Sequence, residues 1–456
     1  MKHLKVSTSL FFLLWSVLPA LAQIEDHQEI EGPFKTPQEV TETCLECHED
    51  AAKEVMQTIH WTWERKVNGL PGHQGVIELG KKNVFNNFCI DVESNWPRCT
   101  SCHVGYGWED QNFDFDKEEN VDCLVCHDRT GKYKKSPAGA GMPAKDVNLL
   151  EVAQNVGAPT RENCGVCHFF GGGGENVKHG DLDMGLIQPD STYDIHMGRE
   201  DMTCQDCHET EAHNIKGESM AIVTDPSNRI LCVDCHDPKP HESKKINQHT
   251  DKIACQTCHI PYFAKSRPTK IYWDWSTAGK DSIAPKDEYG LDTYNKKKGS
   301  FRWGKNVEPE YYWYNLQSTR YVKGDKIDPS KTLSLNKPLG SRKDENTKLY
   351  PFKVMRGKQI YDVKNKYLIV PKLWGGYWKH FDWNKAAEEG MKIAGLPYSG
   401  EYGFVKTEMF WKVNHMISPK DEALGCKDCH GKGKNKRMDW KELGYRGDQM
   451  YKKYRD

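Results

Sequence analysis

Cys44-Leu45-Glu46-Cys47-His48 sets a pattern that returns as Cys99-Thr100-Ser101-Cys102-His103, Cys123-Leu124-Val125-Cys126-His127 and Cys164-Gly165-Val166-Cys167-His168. Four more copies begin at Cys204, Cys232, Cys255 and Cys426 and close on Cys207-His208, Cys235-His236, Cys258-His259 and Cys429-His430. Sixteen of the 17 cysteines are used in this way. A random chain of this composition would hold roughly 0.03 such pentapeptides, so chance is excluded. Zinc sites or redox dithiols would leave unexplained why a histidine follows every second cysteine. Two thiols three residues apart can each add to one vinyl group of a porphyrin, and the next histidine then lies under the ring to ligate its iron. Each pentapeptide therefore reads as the attachment site of one covalent haem c. The proximal iron ligands are expected to be His48, His103, His127, His168, His208, His236, His259 and His430.

The rest of the 456 residues fits that reading. Hydrophobic residues make up only 37%, and the mean hydropathy of −0.79 is low for so long a chain. Flat apolar cofactors can replace side chains as the core. The 64 basic and 65 acidic side chains nearly cancel, which leaves no broad electrostatic footprint for nucleic acid or an anionic membrane. Lys2 and Lys5, the apolar run Leu10 to Leu18 and Ala20-Leu21-Ala22 read as a cleaved export signal over residues 1–22. The apolar run is short of the roughly 18–20 residues that span a bilayer, and no later segment resembles a span. An exported, periplasmic chain is expected.

The motif spacing divides the mature chain. Seven motifs fall within residues 23–259, about 31 residues per haem from Cys44 to His259, so neighbouring porphyrins must be close enough for electron hopping. Residues 260–425 carry no motif and are rich in Trp, Tyr and Lys; the eighth motif and a basic tail occupy 426–456. The expected fold is a multihaem cytochrome c, mainly α and irregular, haem-cored, with short β elements in the haem-free insert. Tyr311 to Val322 and Tyr367 to Val370 read as strands. The insert could be a lid, a docking surface or scaffold, and scaffold is preferred.

What fills each iron's sixth position separates a carrier from a catalyst. With the leader and residues 23–43 set aside, nine histidines lie outside the motifs. His60, His179, His196, His213, His241, His249 and His415 lie within about twenty residues of a motif and are the expected distal ligands. His73 and His380 are spare. Thioether ligation by Met56, Met197 or Met220 is the less favoured alternative.

Two features stand outside the repeat. Cys89, the seventeenth cysteine, is either a buried inert thiol or one that faces an open haem, with the second motif as its natural neighbour. The run Phe169-Phe170-Gly171-Gly172-Gly173-Gly174-Glu175-Asn176-Val177-Lys178-His179-Gly180-Asp181 follows the fourth motif, and its glycines let backbone pass close to a planar cofactor. Lys178 and His179 should point in different directions and serve separate irons. A lysine binds metal only as the neutral amine, which a desolvated site can provide. Taken alone, Lys178 reads as a solvated charge.

These pieces resemble the octahaem tetrathionate reductase family, whose haem core is related to pentahaem nitrite reductase and hydroxylamine oxidoreductase. The likeness spans nearly the whole mature chain: seven clustered motifs, one after a long insert, Cys89, and Gly174 to Asp181. It implies that the second haem is the active site, with Lys178 on its iron, Cys89 and an acidic residue, here Glu175, nearby, and His103 displaced from iron or pushed to a secondary role. No Cys-x-x-Cys-Lys motif is present, so the lysine must arrive from elsewhere. Only 26 residues follow His430, too few for the trailing helices of hydroxylamine oxidoreductase. The resemblance further implies reduction of a small anionic substrate, tetrathionate with nitrite and hydroxylamine as candidates, using electrons from a donor cytochrome or a quinol-linked donor. The alternatives are a pure electron-transfer cytochrome and a hydroxylamine-oxidising enzyme.

Overall fold

The computed structural model describes residues 27–88, 91–218, 228–432 and 436–454. The leader, Cys89 and Met220 lie outside the described residues. The motifs sit in or beside helices of one or two turns, among them Arg161–His168, Leu124–His127, Cys255–His259 and Cys426–Cys429. A helical turn puts the first cysteine, the second and the histidine on one face, as attachment to one ring requires. Thr160 starts the fourth-motif helix with a capping box to Asn163, and Thr36 caps Pro37–Leu45 through Glu39.

Apolar packing differs sharply between the two halves. Around the first motifs there are only small clusters, such as Val40, Leu124, Val125, Tyr133, Val152 and Ala153, or Trp63, Val92, Trp96 and Trp108. This is the packing expected where cofactors form the interior.

The insert instead builds a conventional core on an eight-stranded mixed sheet. Its spine is the long strand Lys348–Asp362, antiparallel to Tyr402–Lys412 and parallel to Thr269–Asp274. Gly299–Gly304 continues from Thr269–Asp274, Glu310–Tyr314 pairs with the start of the spine, and the remaining strands have two residues each. Trp383–Ile393 packs on this sheet through Trp383, Ala386, Ala387, Gly390 and Met391, a stripe at helical spacing. Gly390 is required there, since a Cβ would stand 1.9 Å from the Val370 carbonyl.

The expected strand over Tyr311 to Val322 ends at Tyr314. Leu316 takes φ +71°, and the Asn315 amide turns to the Leu339 carbonyl. The strand at Tyr367 covers Tyr367–Leu368. Phe85, Phe88 and Val177 from the haem-binding half enter the same core as Trp273, Met355 and Trp411, so the insert packs directly behind the Gly-rich run. Among the described residues, no helix is long and apolar enough to cross a membrane.

Candidate functional site

The histidines meet in pairs. Metal–imidazole bonds of about 2.0–2.1 Å on both sides of one iron, plus about 1.1 Å from each nitrogen to its ring centre, put the centroids of an axial pair about 6.3 Å apart. His48 faces His27 at 6.2 Å, His127 faces His213 at 6.4 Å, and His168 faces His60 at 6.2 Å. His208 faces His415 at 6.3 Å, His236 faces His196 at 5.9 Å, His259 faces His241 at 6.1 Å, and His430 faces His249 at 6.3 Å. Seven motif histidines thus each have an opposing ring at the separation an iron between them needs.

The other ring nitrogen of many of these histidines is occupied. Nδ1 donates to the Gly157 carbonyl in His127, to the Lys216 carbonyl in His208 and to Asn247 Oδ1 in His241. Carboxylates take that bond from His213 (Glu54, 2.7 Å), His415 (Asp181, 3.2 Å) and His430 (Asp448, 2.5 Å). Such partners fix the ring and leave Nε2 for metal. Spacing, orientation and partners all fit haem iron, with the paired histidines as the groups that would hold it.

Six of the expected distal histidines, His60, His196, His213, His241, His249 and His415, take these places. The seventh place goes to His27, in the segment that the sequence reading set aside. His179 is not opposed by a motif histidine: its ring packs on Trp411 at 5.1 Å, beside Lys178. The chain turns at Asn176 (φ +55°), and the ring opposite His168 comes from His60 instead. His73 is bound to Asp325 and His380 accepts from the Asp382 amide, so both stay spare.

The second motif differs from the others. His103 is fully buried among Trp61, Trp63, Trp108, Phe113 and Phe115, and its Nε2 donates to the Trp61 carbonyl at 2.7 Å. Burial pushes its imidazole down to about 3. A ring whose Nε2 carries a proton toward a carbonyl does not offer that nitrogen to iron in this arrangement.

Two lysines converge on this motif. Lys178 stands 5.1 Å from the Trp411 ring and 6.0 Å from Phe88, within electrostatic reach of Cys102. Burial, then the charge of Lys81, pushes its amine down to about 7. Lys81 acts electrostatically on Cys102, Cys167 and Cys99, and its ammonium lies 3.9 Å over the Trp63 ring. A hairpin of Glu64–Asn68 and Val76–Gly80 delivers it, and Gly80 must be glycine because a Cβ would meet the Trp63 carbonyl at 1.9 Å. Lys81 carries no motif signal; only the fold places it here.

The glycines of the run serve close packing. Gly172, at φ +82°, lies under Phe88, where a Cβ would approach the ring to 2.6 Å. Phe88 thereby meets the Gly-rich turn. Glu175 is engaged elsewhere: its carboxylate accepts from the Met184 amide at 3.3 Å and pairs with Arg267 at 3.4 Å. The acidic role implied for Glu175 is not one these contacts support.

The cysteines give the order of the motifs in space. Cysteines that perturb one another join the first motif to the third (Cys44, Cys123), the second to the fourth (Cys102, Cys167), the fourth to the fifth (Cys164, Cys204) and the sixth to the seventh (Cys232, Cys255). Electrostatic neighbours add third to fourth (Cys126, Cys164), fifth to sixth (Cys207, Cys235) and seventh to eighth (Cys258, Cys426). The line runs one, three, four, five, six, seven, eight, and the second motif branches from the fourth.

Comparison with known proteins agrees with this architecture. The family model "Cytochrome c bacterial" matches residues 270–433, and "Cytochrome c7 and related cytochrome c" matches 190–260. The crystal structure of an octaheme cytochrome c from Shewanella oneidensis is 52% identical with a TM-score of 0.88, and the match covers 93% of this chain and 97% of that one. An uncharacterized protein of Archaeoglobus fulgidus is 24% identical over 248 residues, 43% of this chain and 82% of its own length.

Proposed function

The chain belongs to the octahaem c-type cytochromes, the octahaem tetrathionate reductase family that its motifs resemble, and on that premise we propose that it is an exported, periplasmic reductase of small sulfur or nitrogen oxyanions acting at the second motif. It is a redox protein with eight covalently attached haems c. When bound, these haems would supply the electron path and, at the second motif, the electrons for reduction of substrate.

One observation carries the reading: seven motif histidines face a second histidine, whereas His103 is turned to the Trp61 carbonyl and two depressed lysines lie beside its motif. Lys178 would supply the neutral amine that holds the second-motif iron. Lys81 offers a fixed positive charge to an incoming anion in surroundings where water screens it little. The shell of Trp61, Trp63, Trp108, Phe113 and Phe115 keeps His103 neutral and excludes water from that side. Tetrathionate would take two electrons, break its central sulfur–sulfur bond and leave as two thiosulfates; nitrite would take six electrons and hydroxylamine two. The family resemblance assigns Cys89 to the same site.

The test is Lys178→Ala in the haem-loaded protein, followed by paramagnetic resonance and by turnover of tetrathionate, nitrite and hydroxylamine with reduced viologen. One centre should change, and turnover should fall by about 10²-fold or more. Eight bis-histidine signals before the mutation, with turnover untouched after it, would make the protein a carrier.

A further inference from the structure

The spine strand of the insert sends one charged side chain inward, behind the Gly-rich run. Lys353 is 1% exposed. Its ammonium donates to the Val177 carbonyl at 2.8 Å, to the Lys178 carbonyl at 3.0 Å and to Thr269 Oγ1 at 2.5 Å. An ammonium has three donors, and all three are used. Burying a cation is costly, and replacing a buried charge by an apolar side chain of similar volume is often neutral or stabilising. Stability alone therefore gives no reason for a lysine here.

Its acceptors give the reason. Two consecutive carbonyls aimed at one donor fix the peptide between Val177 and Lys178, and so the direction in which the Lys178 side chain leaves the backbone. The surrounding backbone is held from the same side: Thr269 Oγ1 donates to the Asn176 carbonyl, the Ala264 amide to the Gly180 carbonyl, and the Asn414 and His415 amides to Asp181. Lys353 is the grip that spans the lysine itself.

We propose that Lys353 is a positioning residue, which holds the Val177 and Lys178 carbonyls so that the Lys178 amine is aimed at the second-motif site. This rests on the reading of Lys178 as the ligand there. It also gives the insert a specific task, that of a rigid backing for the ligand loop.

Lys353→Met matches length and removes the donors; Lys353→Arg keeps them; Lys178→Ala marks which signal belongs to the second motif. All three are examined as haem-loaded protein by paramagnetic resonance, potentiometry and steady-state kinetics. Lys353→Met should leave the seven bis-histidine signals intact, shift or broaden the one signal that Lys178→Ala alters, and lower kcat roughly ten- to hundredfold with little change in KM. Lys353→Arg should recover part of the signal. Thr269→Val, which removes one acceptor of Lys353 and the donor to the Asn176 carbonyl but no contact of the Lys178 carbonyl, should shift the same signal less, and it serves if Lys353→Met does not assemble. A wild-type signal in both Lys353→Met and Thr269→Val, alongside an altered one in Lys178→Ala, overturns the positioning role. No change in Lys178→Ala removes the ligand reading itself, whatever Lys353 does.

Discussion

Asp181 Oδ2 lies 3.2 Å from Nδ1 of His415, whose ring faces His208 at 6.3 Å with the planes 23° apart. A carboxylate on the outer nitrogen makes the imidazole a stronger donor to iron and favours the oxidised state. Asp181→Asn should therefore raise the potential of the fifth haem and leave the others in place. A tenfold change in preference for the two oxidation states corresponds to about 60 mV in a one-electron couple. Glu54→Gln should act likewise on the third haem and Asp448→Asn on the eighth, through His213 and His430. Potentiometric titration followed by paramagnetic resonance reads each shift; three unmoved potentials would show that the carboxylates only position the rings.

Axial ring planes divide the seven pairs into two sets. The rings of His27 and His48, His208 and His415, His241 and His259, and His249 and His430 are 15–24° apart. Those of His60 and His168, His127 and His213, and His196 and His236 are crossed at 60–73°. Parallel imidazoles split the iron d orbitals along one direction, while crossed ones leave them nearly degenerate. The oxidised protein should thus show four rhombic low-spin signals and three with a large maximal g. A single class across all seven would contradict the pairing.

His27 is held by a short local scaffold. Gln28 donates to the Gln154 carbonyl, Gln154 to the Ile30 carbonyl, and Ile30 and Phe34 pack on the cluster around Val40 and Leu124. His27→Ala should convert only the first haem from low to high spin, and resonance Raman detects that change. Unaltered low-spin intensity would mean that another group occupies the place.

The covalent parts of this architecture are legible in the sequence because two thioethers and one axial bond dictate a fixed local spacing. Distal ligands are less legible, because sequence distance measures reach poorly: His60 precedes the motif of His168 by about a hundred residues, and His27 lies in the segment ahead of the first motif. His179 misleads for the same reason, since one turn at Asn176 separates it from the neighbouring motif's axis. In the insert, Lys348–Asp362 is buried on both faces and contains Pro351 and Gly357, so it shows neither alternation nor continuity. Gly357 is nevertheless needed, as a Cβ would meet the Trp273 carbonyl at 2.4 Å. Lys81 and Lys353 are invisible in sequence because lysine is ordinarily a surface residue, and only the fold buries them.

Lys81 and Lys178 oppose each other's charge, and that opposition predicts a pH dependence. Iron and a proton compete for the lone pair of Lys178, so ligation fails as acid protonates the amine. The Lys178 amine is pushed down to about 7 by burial first and by Lys81 second, and bound iron draws it lower still. Around neutral pH the ligand is therefore available, and acidification should abolish the second-motif signature in one step. Lys81→Met removes a repelling cation, which favours protonation of Lys178; the acid transition should move to higher pH, each unit representing about 1.4 kcal/mol. The same variant should raise KM for an anionic substrate, because the fixed charge offered to it is gone. Titration of the second-motif signal against pH in both proteins decides the matter: an acid limb that stays where it was would show that the two amines do not share one site.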